Sequence, residues 1–247
     1  MLRLSALAAA AGLLRPGTAR ALGAGSQFRI CELTLERGTT SRPEAWKRLL
    51  FEVVQATSVE CDPTPVALSP EDPALFAHPF AVLVGTGPLP ELSDRAAEQL
   101  VRYLSYGGFL LVDDASGSPD GALHRSVRAL SSRLFPTRPL APLPGDHSIL
   151  RSFFLLDRAV GRTALTGGLE GVTVGPTSPL VYCGDDLSGA LDRGADGRDR
   201  HPVSPGGEEQ RREALKLGVN LVLYALTSNY KHDTAHVLEL MREGRLE

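Results

Sequence analysis

Two stretches decide the fold: Phe80-Ala81-Val82-Leu83-Val84-Gly85 and, one helix-length interval later, Gly107-Gly108-Phe109-Leu110-Leu111-Val112-Asp113-Asp114. Both apolar runs are unbroken rather than alternating, the pattern of strands buried on two faces within a parallel sheet. Between them Ser93 is placed to cap a helix whose Ala97, Leu100, Val101 and Leu104 share one side, and Gly107-Gly108 ends it. Strand, helix and strand in that order form a βαβ unit, so the chain reads as an α/β protein with a mostly parallel sheet and helices packed on it.

Towards the N-terminus, Phe28 to Leu35 predicts a first strand. Ser41-Arg42-Pro43-Glu44 supplies an N-cap, an early-helix proline and the glutamate of a capping box, and Trp46, Leu49, Leu50, Val53 and Val54 follow at helical spacing. A shorter strand is expected around Val59, before the turn-rich segment Asp62 to Asp72. Towards the C-terminus a helix is expected over Ala122 to Leu134, stopping at Pro136. The proline-rich segment Arg138 to Ser152 is irregular until Phe153-Phe154-Leu155-Leu156, and a further strand is expected across Leu180 to Cys183. Residues 187–207, rich in Gly, Asp and Arg, predict a flexible surface loop. A long helix from Glu208 to Tyr230 and a short tail helix over 231–247 complete the pattern, giving one domain over residues 22–230.

The first residues are of another kind. Arg3 precedes the uncharged, Ala- and Leu-rich run Leu4 to Leu14, and Ala19-Arg20-Ala21 fits an A-x-A cleavage site. Residues 1–21 are therefore expected to be a signal peptide and the mature chain to be exported, periplasmic or extracellular. The apolar run is too short to span a bilayer, and no transmembrane span is expected in the mature chain. Whether the general secretory or the twin-arginine route is used stays open, since no Arg pair is present.

Composition narrows the partners. A net charge of -3 provides no basic surface for tracking phosphates, so nucleic acid is excluded as a favoured partner. Aromatic residues at 6% give little material for a stacking platform. Cys31, Cys61 and Cys183 are too few and scattered for a disulfide scaffold and form no C-x-x-C pair; buried, reduced thiols are expected.

In open parallel sheets ligands bind beyond the carboxyl ends of the strands, and here those positions are polar. The first strand runs into Glu36 to Thr40, the next into Gly85-Thr86-Gly87, the next into Asp113-Asp114 and the last into Gly184-Asp185-Asp186. Thr86, Asp113, Asp114, Asp185 and Asp186, with Asp146 and His147 from the long irregular segment, are the candidate site residues. Clustered carboxylates can hold a divalent cation through oxygen ligands, or act as acid and base with His147 as partner. They can equally cap the turns and helices that follow the strands. No cofactor is predicted otherwise: Pro90 stands where a dinucleotide fingerprint needs glycine, and there is no phosphate loop, H-E-x-x-H helix or G-x-S-x-G elbow. His232 and His236 lie one helical turn apart without a third ligand nearby.

Phe80 to Gly85 with Leu75-Phe76 before it, Gly107 to Asp114, Leu143-Pro144-Gly145-Asp146-His147, and Leu217-Gly218-Val219-Asn220 with Tyr224 to Thr227 together resemble the domain of unknown function 4159 family. The resemblance runs from about Phe28 to Tyr230. It implies kinship with class I glutamine amidotransferase domains and hence a flavodoxin-like three-layer sandwich. Those enzymes carry a nucleophilic cysteine in the turn after the strand equivalent to Phe109 to Val112, where this chain has Asp113-Asp114. A carboxylate cannot replace a thiolate towards an unactivated amide, so no glutaminase activity is expected. Two functions remain: a non-catalytic domain binding a protein, peptide or small ligand at the carboxyl edge of the sheet, or a hydrolase, metal-assisted or not, using Asp113 or Asp114 with His147.

Overall fold

The computed structural model describes residues 27–117 and 121–242, with side chains described as far as Ser228. The expected signal peptide and the side chains of His232 and His236 lie outside the described residues. One mixed sheet is built from β1 (Cys31–Leu33), β2 (Thr39–Thr40), β3 (Val66–Leu68), β4 (Phe80–Gly85), β5 (Phe109–Asp114), β6 (Ala141–Pro142), β7 (Leu169–Val174) and β8 (Thr177–Cys183). Its order is β3-β1-β4-β5-β8-β7-β6, with β2 paired antiparallel to the end of β4. The run β3-β1-β4-β5-β8 is parallel throughout, and β7 and β6 extend it antiparallel. Counted along the chain, the five parallel strands take the flavodoxin-like order 2-1-3-4-5, whose direction reverses between β1 and β4.

The helices are α1 (Pro43–Ala56), α2 (Asp94–Ser105), α3 (Ala122–Leu134), α4 (Leu187–Leu191) and α5 (Gly207–Arg242). Strand pleating divides the core in two. Phe80, Val82, Phe109, Leu111 and Val181 pack with Trp46, Leu49 and Leu217 under α1, α4 and α5. Ala81, Leu83, Leu110, Val112 and Leu180 face Leu100, Tyr103 and Val127 of α2 and α3. Side chains that alternate in sequence thus serve opposite layers, which is why the strands read as continuous apolar runs.

Local chemistry sets the element ends. Ser93 Oγ accepts from Ala96 N at 3.0 Å and starts α2, as its sequence predicts. Beyond the last turn of α2 the chain passes through Gly107 at φ 91, a left-handed conformation that a side chain would oppose. At α1 the expected capping box does not form. Arg42 is the N-cap, and its backbone N–H donates to Glu32 Oε1 at 2.8 Å while Ser41 Oγ donates to Glu32 Oε2. A buried glutamate of β1 therefore closes the helix that the local sequence was expected to cap.

Four further expectations are corrected. The edge strand is β3 at Val66–Leu68, inside the segment read as turns, while Val59 packs against the core; an edge position tolerates the neighbouring Pro65 because one side of the strand needs no ladder donors. Phe153 to Leu156 is bend and coil after a 3-10 turn at Ser148–Arg151. Residues 187–207 are not a surface loop in their first part: Leu187 to Leu191 form α4, all five residues buried. Beyond α4 the segment is held by ion pairs of Asp199 with Arg48 at 2.6 Å, Arg193 at 3.2 Å and Arg211 at 3.3 Å. Ala195 to Arg198, Arg200, Pro202 and Ser204 to Gly206 are exposed, so this later part is the surface segment that its composition predicts. The last helix runs on from Gly207 to Arg242, through the start of the segment expected as a separate tail helix. No helix of the described residues is long and apolar enough to cross a membrane.

The cysteines are free. Cys31 lies in the layer under α2 while Cys61, outside the named strands, packs against the opposite layer, so the two thiols lie on different faces of the sheet. Burial pushes Cys31 up to about 12 and Cys61 up to about 11, keeping both as thiols.

Candidate functional site

The parallel strands bring Asp113, Asp114, Asp185 and Asp186 to one edge, since Cys183, next to Gly184-Asp185-Asp186, pairs with Asp113. Each carboxylate then turns to its own set of internal donors. Asp113 accepts from the backbone N–H of Leu187 at 2.7 Å and of Ser188 at 2.8 Å, capping α4. Asp114 accepts from Ser116 N at 2.8 Å, from the Ser116 hydroxyl, and from Tyr182 OH at 2.6 Å. Asp185 gathers Leu165 N at 2.7 Å, Thr166 N at 3.1 Å and Thr166 Oγ1 at 2.9 Å, binding the 163–166 loop to the rim. Asp186, the non-glycine residue with positive φ among the described residues, at 55°, accepts from Gly189 N at 2.9 Å, from Arg42 Nη1 at 3.0 Å and from Arg162 Nε.

All four are buried, with relative exposures of 0 to 1%. Burial, and the negative charge of Asp186, push Asp113 up to about 7 against the backbone donors that favour its ionised form. Two arginines answer the charge of Asp186. Among the described residues no three His, Cys, Asp or Glu side chains are grouped to hold a metal ion.

Asp146 and His147 do not join this rim. Nε2 of His147 lies 3.2 Å from Ser178 Oγ, and its Nδ1 accepts from Ile149 N at 3.2 Å, so the neutral ring donates to Ser178 through Nε2. Ser178 is the second residue of β8 and Cys183, the partner of Asp113, is the last. Five strand residues, roughly 17 Å, therefore separate the histidine's anchor from the level of the carboxylates. The expected pairing of His147 with Asp113 or Asp114 is corrected accordingly: the irregular segment crosses to the opposite end of β8. Burial lowers the His147 pKa, with Asp146 opposing. Asp146 is exposed, and Thr86 stands exposed just past β4 on the carboxyl edge, its N–H bonded to Gly38 O at 3.0 Å.

The concave feature of that edge lies elsewhere along it. Between β1 and β4, where the strand order reverses, a cavity of about 440 Å³ opens between the sheet and helices α2 and α3. Leu33 and Leu83 form its floor, Leu100 and Leu130 its helical walls, and Leu89 and Leu92 of the segment after β4 its cover. A wider mouth, which shares Leu35, Pro70, Pro90, Glu91 and Leu92 with it, continues outwards past Ser69 and Ser93. A cavity of this size, apolar and at a topological switch point, has the character of a small-ligand site. The polar residues after the strands gave no sign of it. The available signal was aliphatic: Leu35, Leu89 and Leu92 lie after strand ends, where a solvated loop has no need of leucine.

A family model described as a domain of unknown function, DUF4159, matches residues 29–226, well over half of the chain. No curated protein matches it.

Proposed function

This chain belongs to the DUF4159 family, and from that premise we propose that it is a non-catalytic, amidotransferase-like domain that binds a small ligand at the carboxyl edge of its sheet. The observation that carries this reading is the apolar cavity at the switch point between β1 and β4. The rim carboxylates support it in a second way. Asp113 and Asp186 accept from the N-terminal N–H groups of α4, and Asp114 and Asp185 are committed to Tyr182 and the 163–166 loop, so the acidic residues serve as architecture of the edge. The turn that holds Asp113-Asp114 carries no thiol for amide hydrolysis, and Cys183 is buried at the end of β8 with its pKa raised by burial.

The domain works outside the cytoplasm in this proposal, on the strength of the Leu4 to Leu14 run and the Ala19-Arg20-Ala21 site. N-terminal sequencing of the protein recovered from an exporting host would find Leu22 first, and an uncut Met1 would end the claim of export.

The binding claim is tested with N-phenyl-1-naphthylamine, an uncharged dye that brightens in apolar cavities. Saturable binding to the native protein is expected. Ala129→Trp, which places an indole into the cavity from α3, should abolish it, whereas Asp114→Ala and His147→Ala should retain it. Dye binding unaffected by Ala129→Trp would overturn the site.

A further inference from the structure

The cavity and its mouth differ in chemistry, and the difference specifies a ligand. The interior is lined by leucines and prolines with few polar groups. Arg133, the cation among the wall residues described, is already engaged: Nη1 donates to Leu92 O at 2.5 Å and Nη2 to Asp94 Oδ1 at 2.6 Å. It offers no unpaired charge to an incoming anion. The ionisable residues lining the mouth are Glu36, Glu71 and Glu91. Arg95 stands 3.7 Å from Glu71, while among the described residues Glu36 and Glu91 form no ion pair. An apolar chamber thus opens through a collar whose uncompensated charge is negative.

We propose that the ligand is a single-chain amphiphile ending in an ammonium group, its aliphatic tail enclosed between the sheet and α2 and α3 and its cationic head among Glu36, Glu71 and Glu91. The proposal rests on the ligand-binding reading above and adds the sign of the head and the nature of the tail. Burying an alkyl chain in the leucine-lined chamber supplies most of the affinity, because the hydrophobic contribution grows with apolar area removed from water. Exposed ion pairs contribute little individually and are screened by salt, so the collar adds preference rather than strength. A carboxylate head of the same chain length would meet like charge at the same position.

The probes are dodecylammonium, dodecanoate and neutral dodecyl maltoside, each below its micelle concentration, with binding to the native protein measured by calorimetry. Dodecylammonium is expected to bind about tenfold more tightly than dodecyl maltoside and dodecanoate more weakly than either, with the amine's advantage shrinking as salt rises. Glu36→Gln combined with Glu91→Gln should bring the three together, while Ala129→Trp should remove binding of all three without lowering the melting temperature by more than a few degrees. Equal binding of amine and carboxylate, both lost in Ala129→Trp, would overturn the headgroup assignment and leave the cavity site standing. Failure of all three to bind would overturn the assignment and the site together.

Discussion

Arg42, the N-cap residue of α1, donates from Nη1 to Asp186 Oδ1 at 3.0 Å and so fastens the first helix to the turn behind the last parallel strand. Side-chain exposures of 14% and 0% make this a buried pair joining residues 144 apart in the chain. Arg162 holds the other oxygen of Asp186. Removing Arg42 leaves Arg162 alone to answer the buried charge of Asp186, and a buried charge that loses a partner is costly. Arg42→Ala is expected to destabilise the fold by about 2–4 kcal/mol, and Arg42→Ala with Asp186→Asn by less than the sum of the two single changes. Urea denaturation of the four proteins in the cycle measures this coupling.

Asp113 gives stability a pH dependence of definite sign. Its folded pKa is raised from 3.8 to about 7, so between those values the folded protein holds a proton that the unfolded chain releases. The stabilisation is fully present below about pH 4 and is lost as the pH climbs through 7. Asp113→Asn should remove this decline, which is expected to reach on the order of 2–4 kcal/mol. Denaturation midpoints from pH 4.5 to 8 for the two proteins would decide it, and parallel curves would show that Asp113 titrates normally.

Glu32 is a second buried acid with a structural duty. It accepts from Trp46 Nε1 at 2.7 Å and Arg42 N at 2.8 Å, and from the Ser41 hydroxyl, and is 4% exposed. Glu32→Ala strands an indole N–H within the core and is expected to cost about 2–4 kcal/mol, with the tryptophan fluorescence of the folded state altered. A loss below about 0.5 kcal/mol would mean that other acceptors replace the carboxylate.

Gly189 follows Asp186 so closely that a Cβ there would meet the Asp186 carboxylate and, at 2.6 Å, Arg42 Nη1. Gly189→Ala is therefore expected to destabilise by about 1–3 kcal/mol, with the loss smaller in an Asp186→Gly background, where Arg42 is no longer held against the new Cβ. Thermal melts of the pair of variants provide the measurement.

The separation of His147 from the rim acids has its own test. Asp114→Ala and His147→Ala should each lower stability and should add within about 0.5 kcal/mol when combined, as distant sites do. Ammonia release from glutamine should stay at the uncatalysed level in the native protein. A coupling above 1 kcal/mol would place the two side chains in one network.

Much of the architecture was written in the order of the residues. The unbroken run Phe80 to Gly85, the cap at Ser93 and the glycines at 107 and 108 announce a buried βαβ unit because each acts through neighbours a few positions away. Ala122–Leu134 appears in the structure with the expected bounds for the same reason. The gathering of Asp113, Asp114, Asp185 and Asp186 was also legible, since residues following parallel strands must share an edge.

Only the tertiary structure decided what those acids touch. Whether a carboxylate meets a backbone N–H, an arginine or open solvent depends on a partner up to 144 residues away, and such distances leave no local periodicity. The same holds for Leu187 to Leu191, whose polar surroundings signalled a surface until Asp113 and Asp186 supplied caps from beneath. The leucine-lined chamber obeys that rule as well. Sequence specifies which residues avoid water, but an enclosed space is defined by the gap between β1, β4, α2 and α3, and a gap has no residues of its own.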